Sequence, residues 1–310
     1  MSEIRRHAEA YLAMRRALGF KLTTFGHRLI SFIDYLEAYG SNILTSESAL
    51  SWATCTPRST DQVYWSRRLM VVRTFARHLA VLDPATEIPS TEMLPHHYRR
   101  VTPHLYTAAE ITALLNVASQ LLPTLRALTW RTLIGLLAVT GLRTSEACGL
   151  DRPDVDLEEG MLTIRNSKFG KHRQVPIHES TVAALRRYAH ARDQLSGDVA
   201  TSAFLVSTRG TRLQQGNLPH TFSSLVEAAG IAAPTGQRRP RLHDLRHSFA
   251  VDTLLDWYRA GADVQAQMPW LSTYLGHADP KSTYWYLTGT PELLSLLVAR
   301  LDNAFGDDPS

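Results

Sequence analysis

The sequence predicts a mainly α-helical fold in two domains, with one small antiparallel β-hairpin in the second. Three observations carry that prediction. Apolar residues recur at helical spacing along most of the chain. A proline-punctuated stretch without period, residues 83–106, divides it. Only residues 161–165 and 173–177 alternate like strands, around a turn at Phe169-Gly170. At 310 residues the chain is long enough to bury two cores.

In order, the first helices are marked by Ala8, Tyr11, Leu12 and Met14, then by Leu29, Ile30, Phe32, Ile33, Leu36 and Tyr39. Gly40-Ser41-Asn42 stops the second helix, and Thr45 with Glu47 and Ser48 starts the next. A further helix from about Asp61 to Leu82 turns Val63, Leu69, Val72, Phe75, Ala76 and Leu79 inward. Its other faces carry Arg67, Arg68, Arg73, Arg77 and His78. Pro84, Pro89, Pro95 and Pro103 then mark a linker that contains the basic patch His96-His97-Tyr98-Arg99-Arg100.

The second domain opens on Thr107-Ala108-Ala109-Glu110, a capping box ahead of Ile111, Leu114 and Leu115. A helix from Leu125 to Val139 is apolar enough to be buried on most sides. Gly141 breaks it, and Thr144 starts a short helix holding Glu146 and Cys148. Beyond the two strands, helices are predicted at about 179–195, 216–229, 243–259, 263–275, 280–288 and 291–304. The last presents Leu293, Leu294, Leu296, Leu297, Val298 and Leu301 as a broad apolar surface.

Composition narrows the class. Hydrophobic residues at 44% and charged residues at 20% are ordinary for a soluble globular protein. No apolar run reaches the roughly 18 residues of a membrane span. The N-terminus has no secretory h-region, so the expected location is the cytoplasm, with no membrane partner. Cys55 and Cys148 fit no metal spacing and suggest no disulfide; Cys148 reads as a small core residue. The net charge of +4 permits nucleic-acid binding. The excess lies early: residues 1–104 hold 13 Lys and Arg against nine Asp and Glu, whereas 105–310 hold 20 against 20.

The chemistry concentrates in His243-Asp244-Leu245-Arg246-His247, Leu275-Gly276-His277 and Tyr284-Trp285-Tyr286. Upstream stand Thr140-Gly141-Leu142-Arg143-Thr144-Ser145-Glu146 and Ser167-Lys168-Phe169-Gly170-Lys171. Cations, imidazoles and a phenol, with no matching carboxylates, suit a phosphate. Guanidinium and imidazolium donors hold the anion while a phenolic oxygen attacks it. Breaking a phosphodiester without metal also needs a proton for the leaving oxygen, which a lysine on a hairpin can reach. Three histidines, His243, His247 and His277, also admit a metal site, which the two neighbouring arginines disfavour by repelling a dication.

These motifs, in this order and near this spacing, resemble the tyrosine recombinases, also called phage integrases. The resemblance covers roughly residues 107–304. It implies a helical, SAM-like core-binding domain over residues 1–104, including a linker at 83–104, that clamps DNA. It implies a catalytic domain over 105–310. Arg143 and Arg246 would be the phosphate clamps, Lys168 the general acid, His243 and His277 the proton and hydrogen-bond partners, and Tyr286 the nucleophile. Lys171 flanks the same turn; the likeness of the following Arg173-Gln174-Val175-Pro176 to the family's hairpin implies Lys168. Glu146 would buttress an arginine, and His247 is expected to be structural. Tyr284 and Tyr286 lie about 200° apart on a helix, so only one can face the arginines. The resemblance, through the family's spacing from the histidine at His277, implies Tyr286, and Tyr284 is then expected in the helical core.

The resemblance further implies a site-specific DNA recombinase working through a covalent 3′-phosphotyrosine, without cofactor or metal, for integration or transposition of a mobile element. Expected partners are double-stranded DNA with inverted-repeat core sites and further copies of the chain, a dimer per site and a synaptic tetramer, with sibling recombinases as an option. Arg67, Arg68, Arg73, Arg77, Arg99 and Arg100 are expected to meet the DNA backbone. The final helix is expected to dock on its own domain or on a neighbouring protomer. A type IB topoisomerase and a catalytically silent accessory subunit are the alternatives. From Phe249 to Leu275 the chain is longer and more aromatic than simpler relatives, like a transposon-borne branch.

Overall fold

Ser2 caps the first helix, α1 (Glu3–Ala17), by accepting the Arg5 backbone N–H at 3.2 Å. The structure, a computed structural model, describes residues 2–56, 61–94, 102–165, 172–196, 201–233, 238–277, 279, 281–284, 286 and 295. It divides into two units, Met1–Arg100 and Val101–Ser310.

The first unit continues with α2 (Thr23–Ala38), α3 (Ser46–Thr54) and α4 (Gln62–Leu79). Thr45 starts α3 through a reciprocal box with Ser48, whose N–H it accepts at 3.1 Å. Asp61 caps α4 by accepting the Val63 N–H at 2.9 Å. Leu12, Leu29, Phe32, Ile33, Leu36, Leu69, Val72 and Phe75 meet in one core, sealed by Ala8, Ala49 and Ala76 where helices approach. Met14 and Tyr39 extend the apolar stripes of α1 and α2 but point to solvent.

Two arginines on the basic face of α4 bond within their own unit. Arg68 lies over the Trp52 ring, 3.9 Å from its centre, and donates to the Trp52 carbonyl at 2.6 Å. Arg73 donates to the carbonyls of Pro89 at 2.7 Å and Ser90 at 2.6 Å. Both guanidiniums thus satisfy their own unit's backbone and close it. Arg67 and Arg77 are exposed. Arg99 and Arg100 lie outside the described residues. The start of the expected linker is not free chain, because Met93 and Leu94 pack against the helical core.

In the second unit Thr107 and Glu110 form the expected capping box of α5 (Ala108–Ala118), with Thr107 N–H donating to Glu110 Oε2 at 2.8 Å. α6 (Thr124–Thr140) is the central helix, packed against α5, α8 (Glu179–Ser196) and α10 (Leu242–Arg259). Trp130, Leu133, Ile134, Leu136 and Leu137 are buried on its successive faces. Gly141 ends it at φ 59°, where a Cβ would lie 2.4 Å from Phe249 Cδ1. Only glycine fits both the left-handed turn and that approach. α7 (Thr144–Gly149) follows.

The sheet has three antiparallel strands rather than two: β1 (Val155–Asp156), β2 (Met161–Ile164) and β3 (Arg173–Pro176). Leu162 pairs with Val155 on one side and Val175 on the other, and Leu162, Ile164 and Val175 bury the inner face. α9 (Leu218–Ala228) and α11 (Val264–Leu275) complete the domain, with the short α12 (Lys281–Tyr284) after them. The predicted helix at 291–304 lies, apart from Ser295, outside the described residues. No described helix is long and apolar enough to cross a membrane.

Candidate active site

The site forms where the C-termini of α6 and α11 meet the N-terminal halves of α7 and α10. A helix leaves its last carbonyls without intrahelical donors and carries partial negative charge there. In α11 three successive carbonyls each receive a different arginine. The Tyr274 carbonyl accepts Arg173 Nε at 2.7 Å, the Leu275 carbonyl accepts Arg246 Nη2 at 2.7 Å, and the Gly276 carbonyl accepts Arg143 Nη2 at 2.8 Å. Gly276, at φ 68°, turns the chain so that this can happen. The end of α6 contributes too: the Gly141 carbonyl accepts Arg246 Nη1 at 2.7 Å.

Arg246 is 2% exposed. Burial lowers its pKa to about 10, while the Tyr286 phenol, which shares a hydrogen bond with it, works in the opposite direction. At neutral pH it remains a full cation. Arg143 is more open and is braced by Glu146, whose Oε1 accepts Arg143 Nη1 at 2.7 Å and whose Oε2 accepts the Arg143 backbone N–H at 3.0 Å. Arg173 makes a two-pronged pair with the same carboxylate, at 3.0 and 2.9 Å. Burial would raise the Glu146 carboxyl, but the Arg173 hydrogen bonds, the Arg143 N–H and both positive charges hold it at about 2.

The imidazoles line the Tyr286 side. His247 meets the Tyr286 ring edge-on at 5.4 Å, and His277 stacks on it at 6.0 Å. His243 stands edge-on to His247 at 5.0 Å. His277 Nδ1 shares a 2.6 Å hydrogen bond with the buried Thr283 hydroxyl. Desolvation first, and then cationic or imidazole neighbours, lower all three pKa values: His277 to about 3, His247 to about 4, and His243 by a smaller step. Burial, ahead of the neighbouring cations, thus favours the neutral imidazole over the imidazolium donor expected from the sequence.

Tyr286 is 3% exposed and Tyr284 is 48% exposed. Expected in the core, Tyr284 instead ends α12 facing outward. Tyr286 belongs to a cluster with Val251, Leu254, Leu255, Tyr258, Met268 and Leu271. The long aromatic stretch between Phe249 and Leu275 thus builds the wall that seats Tyr286. Among the six residues the resemblance points to, Arg143, His243, Arg246, His277 and Tyr286 come together. Lys168, like Lys171, lies outside the described residues.

Two neighbours escaped sequence reading. Arg173 was read only within the second strand and its hairpin, and His247 as a structural residue. Their signal is spatial, since Arg173 reaches Glu146 and Tyr274 across 27 and 101 positions. Among the described residues, no three His, Cys, Asp or Glu side chains are grouped to hold a metal ion. Cys148 is buried, and burial pushes its thiol up to about 11.

The sequence profile described as Phage integrase family matches residues 105–292, more than half of the chain. The chain belongs to the phage integrase family. This tyrosine recombinase is 43% identical to the Sinorhizobium fredii protein y4rB over 99% of each chain. It is 33% identical to the tyrosine recombinase XerD of Mycobacterium tuberculosis, over 74% of this chain and 70% of that one. In fold it matches the Tn1549 transposon integrase solved with transposon right-end DNA, at a TM-score of 0.66 and 16% identity, over 96% and 98% of the two chains.

Proposed function

We propose that this recombinase cuts and rejoins DNA strands through a covalent 3′-phosphotyrosine on Tyr286. The observation that carries the reading is the Tyr286 phenol held against Arg246, with His247 and His277 against its ring. A phosphate accepting from Arg246 and Arg143 would lie beside that phenol.

Arg143 and Arg246 grip the non-bridging oxygens of the scissile phosphate and stabilise the charge of the phosphorane. The Tyr286 oxygen attacks phosphorus and gives up its proton to a neutral imidazole. His277, depressed well below its ordinary pKa, can accept it only as the developing phosphorane charge raises that value. His243, at the start of α10, offers a hydrogen bond to the same phosphate. The bond from phosphorus to the 5′ oxygen breaks, and Lys168 supplies the proton to that oxygen. The 3′ phosphate stays on Tyr286, so the bond energy is kept for rejoining to another 5′ hydroxyl.

Exchange between two duplexes breaks four strands, and each chain offers one such tyrosine. Four copies, two per duplex, would therefore act together on inverted-repeat core sites. Residues 1–104 are assigned as the DNA clamp, with Arg67 and Arg77 on its phosphate-facing surface, and residues 105–310 as the catalytic domain. The likeness to a transposon integrase and the aromatic stretch before Leu275 support a role in moving a mobile element, within the cytoplasm.

A duplex nicked close to the cleavage site loses the short strand after attack and traps the adduct. Wild type is expected to form a denaturation-resistant complex carrying the DNA 3′ phosphate. Tyr286→Phe should form none while still binding the duplex. An adduct that survives in Tyr286→Phe and disappears in Tyr284→Phe would overturn the assignment.

A further inference from the structure

We propose that Arg173 is a positioning residue for strand cleavage, fixing Glu146 and the end of α11 and, through them, the pose of Arg143 and the placement of His277. The inference rests on the reading above, in which Arg143 grips the scissile phosphate.

Arg173 bonds within the protein through each of its three nitrogens. Its Nε, Nη1 and Nη2 are all directed inward, to the Tyr274 carbonyl and to the two oxygens of Glu146, and its side chain is only 10% accessible. Those oxygens are the same two that brace Arg143. Arg143 then returns to α11 through the Gly276 carbonyl. The result is a closed ring: Arg173, Glu146, Arg143, Gly276 and back through the peptide to Tyr274. It ties β3, α7 and α11 together, and His277 follows directly on its last member.

The ring is also tightly fitted. A Cβ built on Gly276 would stand 2.6 Å from Arg173 Nη1 and 2.8 Å from its Cζ, so the guanidinium lies directly against the glycine. A planar fork matches a carboxylate on one edge and a carbonyl on the other, which a lysine cannot reproduce. Without Arg173, Glu146 would keep Arg143 as its only close cation among the described residues and draw that guanidinium inward, away from a phosphate. The Tyr274 carbonyl would lose its side-chain donor at the same time, loosening the turn that presents His277.

Among the described residues, the charged groups facing Glu146 are Arg143, Arg173 and, farther off, Arg246. Removing Arg173 leaves burial less opposed, so the carboxyl now held at about 2 should climb. Arg143 would then lose its counter-ion at a higher pH than in wild type.

The test is single-turnover cleavage of the nicked duplex at saturating protein, from pH 5 to 9, with binding to uncleaved duplex measured alongside. Arg173→Met is expected to lower the cleavage rate on the order of 100-fold, the scale of an ångström-sized misplacement. Duplex affinity should change little, and the acid limb of the rate profile should move to higher pH. Arg173→Lys should recover part of the rate. A merely structural role would reduce the folded fraction without moving the acid limb. If Arg173→Met does not fold, Arg173→Lys carries the test by its rate per active site and its pH profile. Wild-type rate with an unmoved acid limb, or a rate loss with an unmoved acid limb, overturns the inference. A wild type that forms no adduct overturns the cleavage reading and this inference with it; a cleaving wild type beside an unimpaired variant overturns this inference alone.

Discussion

Arg246 Nη2 and the Leu275 carbonyl stand 2.7 Å apart inside the second unit, joining the start of α10 to the end of α11. With the Gly141 bond at 2.7 Å, this places one buried guanidinium between two helix C-termini. Arg246→Ala would leave both carbonyls buried without their donor, at about 1–3 kcal/mol each. The expected outcome in chemical unfolding is a loss of about 2–6 kcal/mol. Arg246→Lys should lose less stability, because one ammonium can still serve one carbonyl. Both variants should be inactive in cleavage.

Gly141→Ala tests the turn that delivers one of those carbonyls. The added methyl meets Phe249 at 2.4 Å and the residue must hold φ 59°. A left-handed alanine costs about 1–2 kcal/mol before any clash. Thermal melting should show a lower midpoint, and strand cleavage should fall more than stability alone requires, because the Arg246 anchor shifts. A midpoint equal to wild type would count against the anchoring role of this turn.

The histidines set a pH dependence of stability. His247 at about 4 and His277 at about 3 lie below their ordinary value of 6.5. Below pH 6.5 the unfolded chain binds protons that the folded chain refuses, so stability falls as pH falls and is flat above about pH 7. The limit is about 1.4 kcal/mol per pH unit for each histidine. Urea unfolding at pH 7.5, 6 and 5 should show this loss, and His277→Gln should reduce it, leaving the His247 share. Stability that rises on acidification would contradict the neutral-imidazole site.

The four arginines of α4 should separate into two groups. Arg68→Ala and Arg73→Ala remove donors to Trp52, Pro89 and Ser90 and should lower stability by about 1–2 kcal/mol. Arg67→Ala and Arg77→Ala should leave stability within about 0.5 kcal/mol. They should instead weaken DNA binding evenly across sequences and reduce the salt slope by about 0.9 per lost phosphate contact. Fluorescence anisotropy against salt, read beside melting, distinguishes the groups.

These partitions mark where the sequence was legible. The capping box at Thr107 and Glu110 is local, so four residues of sequence suffice to place it. The central helix reads from unbroken apolarity, and Gly141 from the abrupt end of that run. β1 escaped because two residues, Val155 and Asp156, leave no alternation to read. Arg68 and Arg73 were legible as a basic face but not as inward-bonded groups, since their partners lie in α3 and in the chain after α4. Leu275-Gly276-His277 was legible as a source of an imidazole but not of main-chain acceptors. Its role comes from two carbonyls, which no side-chain pattern reports.

Tyr284 and Tyr286 give the sharpest case. Both carry a phenol, and their spacing shows only that they face apart. Packing decides between them: Tyr286 is buried in the cluster that holds Leu254, Leu255, Met268 and Leu271, and Tyr284 is exposed. The measurement that tests the central claim most directly is peptide mapping of the trapped adduct by mass spectrometry. The prediction is a nucleotide joined through its 3′ phosphate to the Tyr286 oxygen. A nucleotide on Tyr284, or one joined through a 5′ phosphate, would contradict it.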